Sequence, residues 1–146
     1  MYKRFKKVEY KSKGEYEIAK LLDSLEIEFN YEFPIAIVEE DGKAKLWYPD
    51  FYLKEYQIVV EYFGMYAHNE EYKKNAEHKK EIYKSCGIQF VPVYHINKNW
   101  EEYLLKSIMM HQEMKAKKIK KLLDTYTKKK KDKANFFKKF YNKIWK

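Results

Sequence analysis

Two carboxylates at a suggestive spacing open the chemical question. Asp50 follows a proline in Tyr48-Pro49-Asp50-Phe51-Tyr52-Leu53, and Glu61 closes the apolar run Ile58-Val59-Val60. Residues 57–63 have the β-branched and aromatic content of a buried strand. Residues 46–53 read as its hairpin partner across the short polar break Lys54-Glu55-Tyr56. Pro49 suits an edge or a bulge, because it cannot donate to the ladder. Pairing the strands would bring Asp50 and Glu61 together at one end of a sheet. Two ionised carboxylates in contact repel unless a cation lies between them, so the pair predicts a magnesium site. The plain alternative makes Asp50 a turn residue and Glu61 a solvent-facing strand end.

Several elements must position that pair. A helix opens at Ser12, whose spacing to Glu15 is that of a capping box, and Ile18, Leu21, Leu22 and Leu25 face a core from it. Glu15 is thereby explained as a cap partner. Residues 27–33 alternate with period two and read as a half-buried strand, interrupted by Pro34 and continued over 35–38. Asp41-Gly42 supplies a hairpin turn. After Gly64, Asn69 caps a helix running to about Ser85 and ending at Gly87. Its inward stripe is Tyr72, Ala76, Lys79, Tyr83 and Cys86. A lysine within such a stripe either snorkels to water or meets an anion. The carboxylate pair, or a bound phosphate, is such an anion, and an ordinary surface lysine is the alternative. Residues 88–94 form a further strand, and a crossover through the helix implies a mixed sheet. Asn97 or Asn99 caps a last segment, with Trp100, Tyr103 or Leu104, and Ile108 inward.

The motifs Tyr48-Pro49-Asp50-Phe51-Tyr52-Leu53 and Val60-Glu61-Tyr62-Phe63-Gly64 resemble the PD-(D/E)XK nuclease superfamily, in a branch whose second carboxylate is followed by an aromatic and glycine. The resemblance covers residues 12–94. It implies a restriction-endonuclease-like α/β core of order α-β-β-β-α-β with a mixed central sheet, to which this chain adds C-terminal helices. It implies a magnesium-dependent DNA endonuclease, with manganese as a substitute. Asp50, Glu61 and the Tyr62 carbonyl would hold the metal, with Glu15 near it. The family's lysine two residues after the second carboxylate is absent, since Phe63 stands there. In this branch the lysine migrates to the following helix, which assigns the role to Lys79, with Lys80 as the rival. A catalytically inactive DNA-binding module of the same fold is the alternative implied by Phe63.

The remainder bounds the setting. With 146 residues, 45% of them hydrophobic, the chain can build a sizeable core. One cysteine excludes an internal disulfide. The basic N-terminus is followed by no apolar signal region and no run spans a membrane, so a cytoplasmic protein without a membrane partner is expected. The net charge of +9 is uneven: residues 115–146 hold 14 Lys and 2 Asp, whereas 1–114 hold 17 Lys plus Arg and 20 Asp plus Glu. We therefore separate a nuclease-like core, 1–114, from a basic extension, 115–146. The extension reads as two amphipathic helices joined by a basic hinge at 127–133. Its lysines predict contact with DNA phosphates, and its apolar stripes predict burial against the core, each other or a second chain, as in a homodimer or larger nuclease complex. A solubilising lysine face and an interaction or dimerisation protein are the competing readings; a basic amphipathic helix lying on an anionic membrane ranks third, since the rest of the chain offers it no support.

Overall fold

The computed structural model describes Arg4, Phe5 and residues 7–145, so the basic N-terminal stretch and the last residue of the extension lie partly outside it. The chain divides into two compact units, Met1–Met109 and Met110–Lys146. The first unit opens with a small antiparallel hairpin, β1 (Arg4–Phe5) and β2 (Val8–Glu9), turning at Lys7 with φ of 63°. Helix α1 (Lys13–Ser24) follows, capped by Ser12, whose side chain accepts from the Glu15 amide. Ile18, Ala19 and Leu22 are its buried stripe; Leu25, expected inside, is exposed at the C-cap.

The chain then makes one long antiparallel hairpin broken in its middle. β3 (Asn30–Tyr31) pairs with β6 (Phe51–Leu53), and β4 (Ile35–Val38) pairs with β5 (Ala44–Trp47) around Gly42, which has φ of +76°. The register runs through: Tyr31 faces Phe51, and Ile35 faces Trp47, four residues on in one strand and four back in the other. Pro34 and Pro49 fall in that gap, on opposite strands, and remove donors from both sides. This is why the strands expected over 27–33 and 46–53 each shrink or divide.

β7 (Ile58–Tyr62) pairs antiparallel with β6, α2 (Glu70–Ser85) crosses over, and β8 (Gln89–Val93) returns parallel to β7. The result is an α/β fold with a mixed four-stranded sheet of order β3-β6-β7-β8. One face carries Phe51, Leu53, Ile58, Val60, Val91 and Val93 against α1 and against Trp100, Leu104 and Ile108. The other places Val59 with Ile37, Ile82 and Tyr83 of β4 and α2.

Helix α3 (Trp100–Trp145) begins in the first unit and supplies the whole described part of the second. The hinge expected at 127–133 is absent. No glycine or proline follows Pro92, and lysine is a good helix former, so nothing in the basic run ends the helix. No helix among the described residues is long and apolar enough to cross a membrane.

Candidate functional site: a carboxylate cleft at the sheet end

Register alone brings the two carboxylates together. Phe51 faces Val60 in the β6–β7 ladder, so one step further Asp50 faces Glu61. Alternation along the strands then turns both toward the α2 face, the one that also carries Val59. Asp50 continues the ladder through its side chain: the Tyr62 amide donates to Asp50 Oδ2 at 2.7 Å. Glu61 is buried, 2% exposed. It accepts from the Tyr83 hydroxyl at 2.6 Å and from Lys79 Nζ at 3.4 Å to each carboxylate oxygen. Lys79 and Tyr83 are one helical turn apart on α2, which is what lets both reach one carboxylate.

Glu15 enters from the first turn of α1 and is also buried, 5% exposed. Ser12 Oγ donates to its Oε2 at 2.7 Å and the Tyr31 hydroxyl to its Oε1 at 3.1 Å. Ser12, Glu15, Asp50, Glu61, Tyr62, Tyr72 and Lys79 line one cleft of about 360 Å³, together with residues 63–65 and Asn75 and Ala76. Lys80 is elsewhere: its ammonium donates to the Tyr94 hydroxyl at 2.8 Å and pairs with Glu77 at 3.1 Å. His68 is exposed on the loop before α2 and does not line the cleft.

The electrostatics are those of an anionic pocket short of positive charge. Burial, then the neighbouring Glu61, pushes the Asp50 carboxyl from 3.8 up to about 8, with Glu15 adding to the rise and the Tyr62 amide opposing it. Burial, then Asp50 and Glu61, pushes the Tyr72 phenol up to about 12. Burial, then Glu61, holds the Tyr83 phenol far above its usual value. These tyrosines therefore remain neutral hydrogen-bond donors at physiological pH.

Three features are not evident from residue types and spacing. Tyr83 sits in the helix stripe as a core aromatic would, yet its hydroxyl fixes Glu61. Tyr72 donates to the Tyr62 carbonyl at 3.3 Å and so orients a candidate metal ligand. The Tyr62 ring lies between two glycines: a Cβ at Gly14 would stand 2.1 Å from its Cζ, and one at Gly64 2.7 Å from the ring. Glycine is a poor helix former, and a glycine just inside the start of α1 is the one signal of the stack that the sequence carries.

The donor chemistry fits a hard divalent cation. Carboxylate and carbonyl oxygens suit magnesium, and a cation beside Asp50 would oppose the rise that burial and then Glu61 impose on its carboxyl. The fit comes from two carboxylates and a backbone carbonyl. Among the described residues, no group of three or more His, Cys, Asp or Glu is arranged to hold an ion. Comparison of the chain with models of known protein families, with curated proteins and with solved structures found no match.

Proposed function

We propose that this chain is a magnesium-dependent DNA endonuclease with a PD-(D/E)XK-type core. The observation that carries the reading is the convergence of Asp50, Glu61 and Lys79 on one cleft, with the Lys79 ammonium 3.4 Å from both Glu61 oxygens. An acidic strand pair faced by one lysine is the arrangement that hydrolysis of a phosphodiester calls for. Asp50, Glu61 and the Tyr62 carbonyl would hold the ion, with manganese as a substitute. Bound there, it would supply Lewis-acid chemistry, polarising a phosphate oxygen and making water a better nucleophile.

The chain's own residues do the rest. Lys79, held over Glu61, offsets negative charge that develops on the phosphate as the attacking water adds. Tyr83 keeps Glu61 in place from the buried side, with Lys79 against both of its oxygens. Glu15, steadied by Ser12 and Tyr31, orders water at the cleft's edge next to Asp50. Tyr72 and the Gly14–Tyr62–Gly64 stack fix the strand end that presents the Tyr62 carbonyl. Lys80 is engaged by Tyr94 and Glu77 outside the cleft, which favours Lys79 as the reactive lysine.

A second reading has its own observation. Phe63 stands where the resembled family usually has its lysine, and no ready-made three-residue ion site is present among the described residues. A DNA-binding module that has lost catalysis would show both features.

The test is cleavage of supercoiled plasmid, linear duplex and branched DNA by wild type and Asp50→Asn, with and without magnesium. We expect magnesium-dependent cleavage by wild type and a loss of at least about 10³-fold in the variant. Metal-independent cleavage, or cleavage retained by Asp50→Asn, would refute the site. Salt-sensitive DNA binding without any cleavage would establish the inactive module.

A further inference from the structure

The second unit carries a surface that the cleft leaves unexplained. At 100° per residue, Ile119, Leu122, Leu123 and Tyr126 fall on an arc of roughly 100°. Eighteen residues on, five full turns, Phe137, Phe140, Tyr141 and Ile144 fall on the same arc. Phe136 and Trp145 widen the second patch to roughly half the circumference. All are exposed, from 54% for Phe140 to 73% for Trp145. The aromatics touch one another along the helix: Phe136 stacks on Phe140 at 6.3 Å and Tyr141 meets Trp145 at 6.3 Å. Lysines such as Lys117, Lys121, Lys128 and Lys139 occupy the opposite side. Against 14 lysines in residues 115–146 stand two acids, Asp124 and Asp132.

We propose that this helix lies on an anionic lipid surface. The occupant must satisfy apolar patches and a dense positive charge together. Duplex DNA would take the lysines and leave the aromatics in water. A second copy would take the aromatics, but Lys130 and Lys133 fall within the apolar arc between the patches, so self-pairing would press like charges into the seam with almost no acid to offset them. A bilayer carrying acidic headgroups meets both demands: phenylalanine, tyrosine and tryptophan rings settle at the headgroup boundary, and lysines near the plane snorkel outward to acidic lipid. The arc is also wider than the two-in-seven seam of a coiled coil. The helix is too polar to cross the membrane and would lie in its plane. This inference is independent of the nuclease reading, since no cleft residue takes part.

The experiment is co-sedimentation of the full chain with two kinds of vesicle: phosphatidylcholine alone, and phosphatidylcholine with about one third phosphatidylglycerol. Binding is expected to the second and not the first, and to weaken with added salt. Phe137→Ser with Phe140→Ser should weaken it at least about tenfold, with the circular dichroism spectrum unchanged. Replacing Lys128, Lys129, Lys130 and Lys131 by Gln should weaken it by a similar factor with every apolar side chain left in place. Failure to bind the acidic vesicles would overturn the proposal. So would a stable lipid-free dimer that the phenylalanine changes dissociate, or duplex-DNA binding that those same changes abolish.

Discussion

The two faces of the central sheet are built on opposite principles. Toward α1 and the start of α3, Phe51, Leu53, Ile58 and Val60 are fully buried in the main hydrophobic cluster. Toward α2, the same two strands present Val59 and then Asp50 and Glu61, met by Tyr83 and Lys79. One face removes apolar area from water, worth roughly 25 cal/mol per Å². The other gives up apolar packing at its end to set two buried acids on facing strand positions, an arrangement that costs stability unless something offsets it. Cost concentrated at one end of an otherwise ordinary sheet singles out that end as the candidate site.

That contrast makes a graded set of expectations. Phe51→Ala should act on the apolar face alone. Its ring meets those of Tyr10, Phe29 and Tyr31 at 5.4–6.3 Å, and its loss should lower unfolding free energy by about 3–5 kcal/mol in urea titrations. Lys79→Met should act on the acidic face alone. The Lys79 side chain is 42% exposed and its ion pair contributes little to folding. Cleavage should fall about 10²-fold with DNA affinity nearly unchanged, and an unaltered rate would remove Lys79 from the reaction. Gly14→Ala tests the join between the faces. Displacing the Tyr62 ring should lower stability by about 1–3 kcal/mol in thermal melts and reduce cleavage as well; a neutral result would show that the ring has room to move.

Much of this division is legible in the amino-acid sequence. The Asp50–Glu61 pairing follows from a tight hairpin with a known period, because register and alternation together dictate which side chains meet. Asn69, Gly87 and the α2 stripe are legible for the same reason, since caps and i, i+4 spacing are local. The break between the β3–β6 and β4–β5 pairings is not, because it takes two prolines far apart in sequence that come level only after the strands pair. Tyr83 is hidden by being what a core residue would also be; its hydroxyl gains meaning only from Glu61 twenty-two residues earlier. The unbroken α3 is the reverse case: a run of lysines reads as a hinge, although lysine carries no helix-breaking chemistry.

The most direct test of the cleft is its proton balance, followed as thermal stability against pH with and without magnesium. Asp50 has a folded-state pKa of about 8 against 3.8 as an ordinary carboxyl. Its protonated form is therefore favoured by folding, and the stability this confers is complete below about pH 4 and lost as pH rises through about 8. Metal-free wild type should lose stability across that window. Magnesium should restore it at the alkaline end, where the ion takes the place of the proton. Asp50→Asn should show neither the loss nor the rescue, and should be the more stable protein at pH 8 without metal, by roughly 1–3 kcal/mol. A wild type with no such decline and no response to magnesium would contradict a cation site built on Asp50 and Glu61.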